Sequence, residues 1–278
     1  MKDFFMSMDF MGKAIDVHVI TLGHGKKQIL CLHGFLATGM ETFGKILSFL
    51  EKDYTLVLID WIGFGHTTRF LSPSDTYDST YLSTWLESFI NTALKKKILK
   101  DTFSIFAVSM SGLMTGMVYD KVKDHVEKII FVNPAGFDRK VSMKFAMVIA
   151  SPFFTKKTFL KIITKSIFWE KMLGLKDVHR KKLFSIMDSG ELEVYSRAAQ
   201  HSMTRSGNAR PTHIFKGYGD IKIPVMLICS TKDTLIINQE YVQQAKKYGW
   251  KIKMIKNNDH VLIARKPSQV ANAVKEFL

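Results

Sequence analysis

The chain alternates short apolar runs with longer runs in which apolar residues recur at helical spacing. The short runs predict strands at Ile15–Thr21, Gln28–Leu32, Thr55–Asp60, Phe103–Val108, Lys128–Val132, Val225–Ser230 and Lys251–Ile255. The longer runs predict helices at Glu41–Glu51, Tyr81–Leu99, Met110–Val122, Gln239–Tyr248 and Ser268–Leu278. Most interior strands are apolar on both faces, which is typical of a sheet covered by helices on both sides. The pattern therefore predicts an α/β fold with a parallel sheet.

The strand pattern stops between Gly136 and Gly217, where the sequence has a helical pattern and is rich in Lys, Phe and Met. We interpret this segment as a helical cap inserted into the α/β core. The predicted organisation is a first part of the core at 1–135, a helical cap at 136–217 and a second part of the core at 218–278.

The formal net charge of +15 raises the question of an anionic partner. More than half of the excess lies between Phe137 and Pro211, which contains fifteen basic and six acidic residues. We expect no nucleic-acid partner. Four lysines recur at helical spacing in this segment: Lys156, Lys157, Lys161 and Lys165. They either solvate one helix face or favour peripheral contact of the cap with an anionic membrane surface.

Other features narrow the class of protein. No apolar run approaches the roughly 20 residues that a membrane-spanning helix needs. Asp3, Asp9 and Lys13 interrupt the N-terminal apolar stretch before a signal-like segment develops, so we expect a cytoplasmic protein. Cys31 and Cys229 each lie in a predicted strand without a second Cys or His at metal-ligand spacing. We therefore expect two buried core thiols, no metal site and no cofactor.

A candidate nucleophile lies where the strand Phe103–Val108 changes abruptly into a helical pattern. Ser109 occupies this junction, which is typical of a strand-to-helix elbow that presents a hydroxyl at its tip. Ala107, Ser111 and Gly112 are small enough to let the strand and the helix pack closely around it. The pattern predicts that Ser109 is a nucleophile.

A serine hydroxyl needs a base within hydrogen-bonding reach, and the base needs an acid that orients it. Asp233 follows the strand Val225–Ser230, and His260 follows the next predicted strand. Because carboxyl ends of parallel strands meet at one edge of a sheet, both should lie on the edge where Ser109 opens. Along the chain the three residues follow in the order nucleophile, acid and base, which is the order known for the catalytic triads of one fold.

Several neighbouring residues offer alternatives. Ser111 is a second hydroxyl at the elbow, where we expect only small bulk to be needed. Asp138 follows the predicted strand Lys128–Val132 and is an alternative to Asp233 as the acid. Asp259 adjoins His260 in sequence, so its carboxylate cannot readily align with that ring, and we interpret it as a polar loop residue. We expect the ring of His33 to stabilise its own loop through a backbone hydrogen bond.

At this point the chain resembles the α/β-hydrolase family over nearly its whole length. His33-Gly34-Phe35 resembles the oxyanion-loop motif, and the segment from Asp60 to His66 is similar to the family's aspartate-x-x-glycine-phenylalanine-glycine turn. The position of the inserted segment, after the sixth strand, is also similar. The resemblance implies a mostly parallel eight-stranded sheet flanked by helices, with an inserted helical cap.

The resemblance also implies an oxyanion hole formed by the backbone N–H groups of Phe35 and Met110. The leading hypothesis is a cofactor-independent serine hydrolase that cleaves a carboxylic ester of a small molecule with an apolar portion. Ser109 would attack the carbonyl, His260 would transfer the proton and Asp233 would orient His260. Relatives with the same triad cleave thioesters, lactones or carbon–carbon bonds, so these stay alternatives, as does a non-catalytic ligand-binding protein.

Overall fold

A computed structural model describes residues 1–136, 190–204, 216–233, 238–256 and 260–278. The strands of these ranges are β1 (Lys2–Phe10), β2 (Lys13–Leu22), β3 (Lys27–Leu32), β4 (Tyr54–Ile59), β5 (Phe103–Val108), β6 (Val126–Val132), β7 (Val225–Ser230) and β8 (Lys251–Ile255). They form one sheet in the order β1-β2-β4-β3-β5-β6-β7-β8. The hairpin β1–β2 and the pair β2–β4 are antiparallel, and the other neighbours are parallel. The predicted mostly parallel eight-stranded α/β sheet is confirmed.

Helices cover both faces of this sheet. In the described ranges they are α1 (Gly39–Phe43), α2 (Leu47–Leu50), α3 (Ser79–Lys95), α4 (Met110–Val122), α5 (Glu191–Thr204), α6 (Asn238–Lys247), α7 (Leu262–Arg265) and α8 (Pro267–Phe277). Short 3₁₀ helices lie at Lys123–His125 and Lys216–Asp220.

The central strands feed two separate hydrophobic cores because successive side chains point to opposite faces. On β5, Ile105 and Ala107 pack into the core that contains Trp85 of α3. Phe106 packs into the opposite core, together with Val270 of α8. This two-sided burial is the physical reason for the continuous apolar runs in the sequence. Cys31 and Cys229 are buried free thiols, as predicted, and burial raises the pKa of both.

Several elements differ from the sequence-based expectation. Helix α3 ends at Lys95 and not at Leu99, and the short helix α7 has no counterpart among the predicted elements. The helix predicted at Glu41–Glu51 is two short helices, since α1 ends at Phe43, with Gly44 as its C-cap, and α2 begins only at Leu47. Glycine is a poor helix former, which favours a break at this position. Strand β1 was not assigned from the sequence, although Met6, Met8 and Phe10 alternate with exposed residues along it.

Most of the predicted cap lies outside the described residues, as do Asp138 and Asp259. The described part of the cap contains helix α5, and the two predicted boundaries between core and cap stay predictions. Among the described helices, none combines the length and the apolar character needed to cross a membrane.

Candidate active site

The junction between β5 and α4 is the predicted elbow. Ser109 has φ 54° and ψ −116°, a backbone conformation that costs a residue with a side chain about 1–3 kcal/mol. Hydrogen bonds on both sides hold it: the Ser109 N–H donates to the Val132 carbonyl at 3.0 Å, and the Ser109 carbonyl accepts from Gly112 N–H at 2.9 Å and Ala135 N–H at 2.8 Å. The end of β6 and the first turn of α4 thus fix the elbow.

Two glycines allow the backbone to approach the elbow closely. A Cβ on Gly112 would lie 2.3 Å from the Cβ of Pro134, which no side chain could occupy. A Cβ on Gly34 would lie 3.2 Å from the Cβ of Ser109. The second contact places the loop after β3 directly beside the Ser109 side chain.

The structure brings Ser109, His260 and Asp233 together in one hydrogen-bonded chain. The Nε2 atom of His260 lies 2.9 Å from Ser109 Oγ, and its Nδ1 atom lies 2.7 Å from Asp233 Oδ2. A carboxylate only accepts hydrogen bonds, so Nδ1 carries the ring proton and Nε2 can accept the serine proton. The side chain of Asp233 is fully buried and that of His260 is 10 % exposed, whereas Ser109 is partly exposed. The hydroxyl is therefore the accessible end of the chain.

The loop after β3 is held through the ring of His33, which is completely buried. Its Nε2 atom accepts a hydrogen bond from the backbone N–H of Trp61 at 3.1 Å, so the proton is on Nδ1, which donates to the Gly34 carbonyl at 2.7 Å. Burial lowers the pKa of His33, which favours this neutral form. The predicted loop-stabilising role of the ring is confirmed.

Phe35 and Met110, the two predicted oxyanion-hole residues, lie on segments that flank Ser109. Phe35 follows Gly34 in the loop that packs beside the serine, and both residues are partly exposed. Met110 is the first residue of α4, so its N–H has no acceptor within the helix and lies at the positive end of the helix dipole. Both positions can offer an N–H to a developing negative charge.

The sequence-family comparison agrees with this geometry. Residues 27–264 match the family model described as alpha/beta hydrolase fold. The chain belongs to the α/β-hydrolase fold family. No curated protein matches it in sequence.

Solved structures of other α/β-hydrolase-like proteins align over almost the whole chain. An esterase from Thermogutta terrifontis is 14 % identical, with 99 % of this chain and 97 % of that chain covered and a TM-score of 0.72. A bromoperoxidase from Bacillus anthracis is 16 % identical over 98 % and 99 %, with a TM-score of 0.73. A carboxylesterase from Bacillus subtilis is 16 % identical over 100 % and 92 %, with a TM-score of 0.71. At these identities the likeness establishes the fold alone.

Asn133 is a residue of this α/β-hydrolase site that sequence reasoning missed. It follows β6 and is buried, with φ 42°. Its Nδ2 atom donates to the His260 carbonyl at 3.0 Å, and its Oδ1 atom accepts from the Ser230 N–H at 3.1 Å. One side chain thus ties the end of β7 to the histidine loop. The only sequence signal was its position at the end of a predicted strand.

The turn after β4 is built around the buried carboxylate of Asp60. Its Oδ1 atom accepts from the Gly39 N–H at 2.8 Å, and its Oδ2 atom accepts from His18 Nδ1 at 2.8 Å and from the His66 N–H at 3.1 Å. A Cβ on Gly65 would lie 2.3 Å from Asp60 Oδ2, which explains the glycine of the motif. The carboxylate is structural, since every contact ties one segment of the core to another.

Helix α5 packs against the oxyanion loop. The ring centroid of Tyr195 lies 5.3 Å from that of Phe35 and 5.0 Å from that of Phe64. The Tyr195 hydroxyl donates to the buried Glu191 carboxylate at 2.7 Å, which also accepts from the Gly65 N–H at 2.9 Å. Burial raises the pKa of Glu191, and these hydrogen bonds oppose the shift only in part.

Among the described residues, no group of three or more His, Cys, Asp or Glu side chains is placed to hold a metal ion.

Proposed function

We propose that this α/β-hydrolase cleaves carboxylic esters through a covalent acyl-enzyme. The observation that carries the proposal is the unbroken hydrogen-bonded chain from Ser109 through His260 to the buried Asp233. A hydroxyl activated by a neutral imidazole, which is itself oriented by a carboxylate, is the arrangement that acyl transfer to serine requires.

In the first half of the reaction, Ser109 Oγ attacks the ester carbonyl carbon while its proton moves to His260 Nε2. The electron pair of the C=O bond moves to the carbonyl oxygen, and the N–H groups of Phe35 and Met110 stabilise that negative charge. Asp233 stabilises the imidazolium that forms. When the tetrahedral intermediate collapses, the alcohol leaves and takes the proton from His260.

In the second half, water attacks the acyl-enzyme. His260 Nε2 accepts a proton from the water, and the new tetrahedral oxyanion occupies the same pair of N–H groups. The bond to Ser109 Oγ then breaks, the proton returns to the serine, and the carboxylic acid is released. One set of groups therefore serves both steps, because each step builds and discharges negative charge on the same oxygen.

We further propose that the acyl substrate has an apolar portion. Phe35, the proposed oxyanion-hole residue, is partly exposed, and its ring contacts the rings of Phe64 and Tyr195. A small ester with an aliphatic acyl chain fits these surroundings better than a charged one.

The first test is covalent labelling with a fluorophosphonate, followed by intact-mass measurement. We expect one adduct on the parent protein and none on Ser109→Ala. Ser104→Ala is the matched control, because it removes a buried serine from β5, the strand that precedes Ser109. This variant should label like the parent. A folded parent protein that takes no label would overturn the hydrolase mechanism and favour ligand binding without turnover.

The second test compares turnover of short-chain esters, thioesters and lactones by the unlabelled parent protein. We expect kcat/KM to be highest for esters and to be lost in Ser109→Ala. Preferred turnover of thioesters or lactones would retain the triad mechanism but contradict the assignment of the substrate class.

A further inference from the structure

The hydroxyl of Ser111 makes buried contacts that a glycine could not make. Ser111 lies two residues after Ser109 and is completely buried beneath the elbow. Its Oγ donates a hydrogen bond to the carbonyl of His33 and accepts one from the indole Nε1–H of Trp61 at 3.2 Å. The same indole N–H lies 3.1 Å from the His33 carbonyl. Ser111 is therefore part of a polar network and not only a small residue.

This network fixes His33 at its carbonyl as well as at its ring. Trp61 holds the ring through its backbone N–H on Nε2, and Trp61 and Ser111 together hold the carbonyl. The ring then holds the next carbonyl, that of Gly34, through Nδ1. Each link lies in the interior, where a hydrogen bond that is lost leaves a polar group without compensation from water.

The geometry of the peptide bond carries this restraint to the oxyanion hole. The Gly34 carbonyl and the Phe35 N–H belong to one planar trans peptide and point in opposite directions. Holding the carbonyl of Gly34 on His33 therefore sets the direction of the Phe35 N–H. A small rotation of this peptide would turn the donor away from the oxygen on which charge develops.

We propose that Ser111 and Trp61 form a buried clamp that orients the oxyanion-hole N–H of Phe35. Both are positioning residues, since they act through His33 and do not touch the substrate. The proposal rests on the proposed function, because it assigns a role in the same hydrolysis. It differs from the sequence-based interpretation of Ser111, which expected only small bulk at this site.

The test is Ser111→Ala, with Thr115→Val as the matched control. Alanine removes the hydroxyl without adding bulk. Thr115 lies one turn further along α4 and is equally buried, and its hydroxyl has no hydrogen-bond partner among the described residues. Three measurements are made on both variants and the parent: the rate of fluorophosphonate labelling at Ser109, the steady-state kinetics (kcat and KM) with a p-nitrophenyl ester, and the Ki of a trifluoromethyl ketone.

We expect Ser111→Ala to lower the labelling rate and kcat by about tenfold to a hundredfold, with KM changed less than about twofold. The complete removal of an oxyanion-hole donor costs about 10²–10³ in turnover, and a donor that is only less well oriented should cost less. The trifluoromethyl ketone forms a tetrahedral adduct with an oxyanion, so its Ki should rise by the same factor as kcat/KM falls. Thr115→Val should match the parent in its labelling rate, its kcat and KM, and its Ki.

Trp61→Phe provides a second variant, because it removes the indole donor and keeps an aromatic ring. If both residues act through the His33 carbonyl, the double variant should lose less than the product of the two single losses. Multiplicative losses would overturn the common clamp.

The possible failures are distinguishable. A folded parent that is not labelled at Ser109 overturns the proposed function and the clamp with it. A labelled parent whose Ser111→Ala variant keeps its kcat and its Ki overturns the clamp alone. An equal loss in Thr115→Val would also overturn it, because that result would assign the effect to packing of α4.

Discussion

Asn133 shows how a single side chain can position a residue far away in sequence. Its amide bridges the Ser230 N–H, at the end of β7, and the carbonyl of His260, in the loop after β8. Its own backbone adopts φ 42°, a region that asparagine tolerates better than most residues with a side chain. The residue therefore combines a backbone requirement and a side-chain requirement.

Replacing this residue should separate the two requirements. We expect Asn133→Ala to lower the free energy of unfolding by about 1–3 kcal/mol, because two buried backbone groups lose their partner. The kcat should also fall, since the His260 loop loses an anchor. Urea unfolding and ester turnover measure the two effects.

Asn133→Gly is the matched control for the backbone, because glycine adopts positive φ without strain. If the side-chain bridge positions His260, kcat should fall by the same factor in Asn133→Gly as in Asn133→Ala. The free energy of unfolding should fall less in Asn133→Gly, because glycine adopts the positive φ without strain. Full turnover in the glycine variant would contradict a positioning role of the amide.

The sequence was sufficient to select Ser109, Asp233 and His260 as one candidate site, because each lies in the segment that follows a predicted strand of a parallel sheet. It was not sufficient for Asn133 or for the hydrogen bonds of Ser111. Their partners are 127 and 78 residues away along the chain, and nothing in the local pattern indicates which loop they meet. Polar contacts between loops depend on three-dimensional positions that periodicity does not encode.

Helix α5 is held to the core by polar contacts as well as by its aromatic residues. The guanidinium of Arg197 donates to the carbonyls of Ser72 at 2.6 Å and Leu71 at 3.0 Å. At the start of the helix, Glu191 accepts from the turn after β4, with Arg69 at 3.8 Å. The helix that contacts the oxyanion loop therefore depends on a buried carboxylate.

The raised pKa of Glu191 predicts a pH dependence of stability. Because the folded-state pKa lies above the ordinary value of 4.5, the folded state binds more protons than the unfolded state between these two values. This contribution to stability is present at low pH and is lost as the pH rises through the folded pKa. Glu191→Gln retains an oxygen that can accept from Gly65 and Tyr195 but has no charge to bury.

We therefore expect Glu191→Gln to become more stable relative to the parent, with a larger free energy of unfolding, as the pH rises from 4.5 to about 8. Urea denaturation across this range measures it. Glu193→Gln is the control, because this carboxylate lies on the same helix but is partly exposed and paired with Arg197 at 3.0 Å. A difference that is constant with pH would contradict the assignment to the buried charge.

Element boundaries were predictable where local chemistry marks them. Helix α4 begins and ends as predicted, and α3 begins near Asp78, whose side chain caps it by accepting from the Tyr81 N–H. Strand β1 is not among the predicted strands, because its apolar residues belong to the N-terminal stretch that was compared only with a signal segment. It adds Met6 and Met8 to the core on one face, so the edge of the sheet depends on residues whose pattern is weakly apolar.

The parallel topology of the whole molecule explains why a few sequence positions predicted the site. Strands β3, β5, β6, β7 and β8 run in the same direction, so the loops after them converge on one edge of the sheet. His33, Ser109, Asn133, Asp233 and His260 lie in or next to these loops. A correct α/β assignment therefore restricts the candidate residues to the segments that follow strands.

Charge is distributed unevenly over the whole chain. Residues 1–136 contain fourteen basic and fourteen acidic residues, so the first part of the predicted core contributes nothing to the net charge of +15. The excess lies in the predicted cap and in the second part of the core. If the excess favours an anionic membrane surface, the attraction should therefore come from the C-terminal half of the sequence.

This expectation is tested with vesicles that contain an anionic phospholipid, compared with vesicles of a zwitterionic one. We expect cosedimentation with the anionic vesicles at about 20 mM salt and its loss at about 200 mM, because salt screens charges at the surface.

Replacing Lys156, Lys157, Lys161 and Lys165 by glutamine should abolish binding. The same change at Lys95, Lys96 and Lys97, which lie at the end of α3 and just beyond it, should leave binding intact. Equal loss in both variants would indicate a response to total charge alone, and no binding at low salt would assign the four lysines to a solvated face.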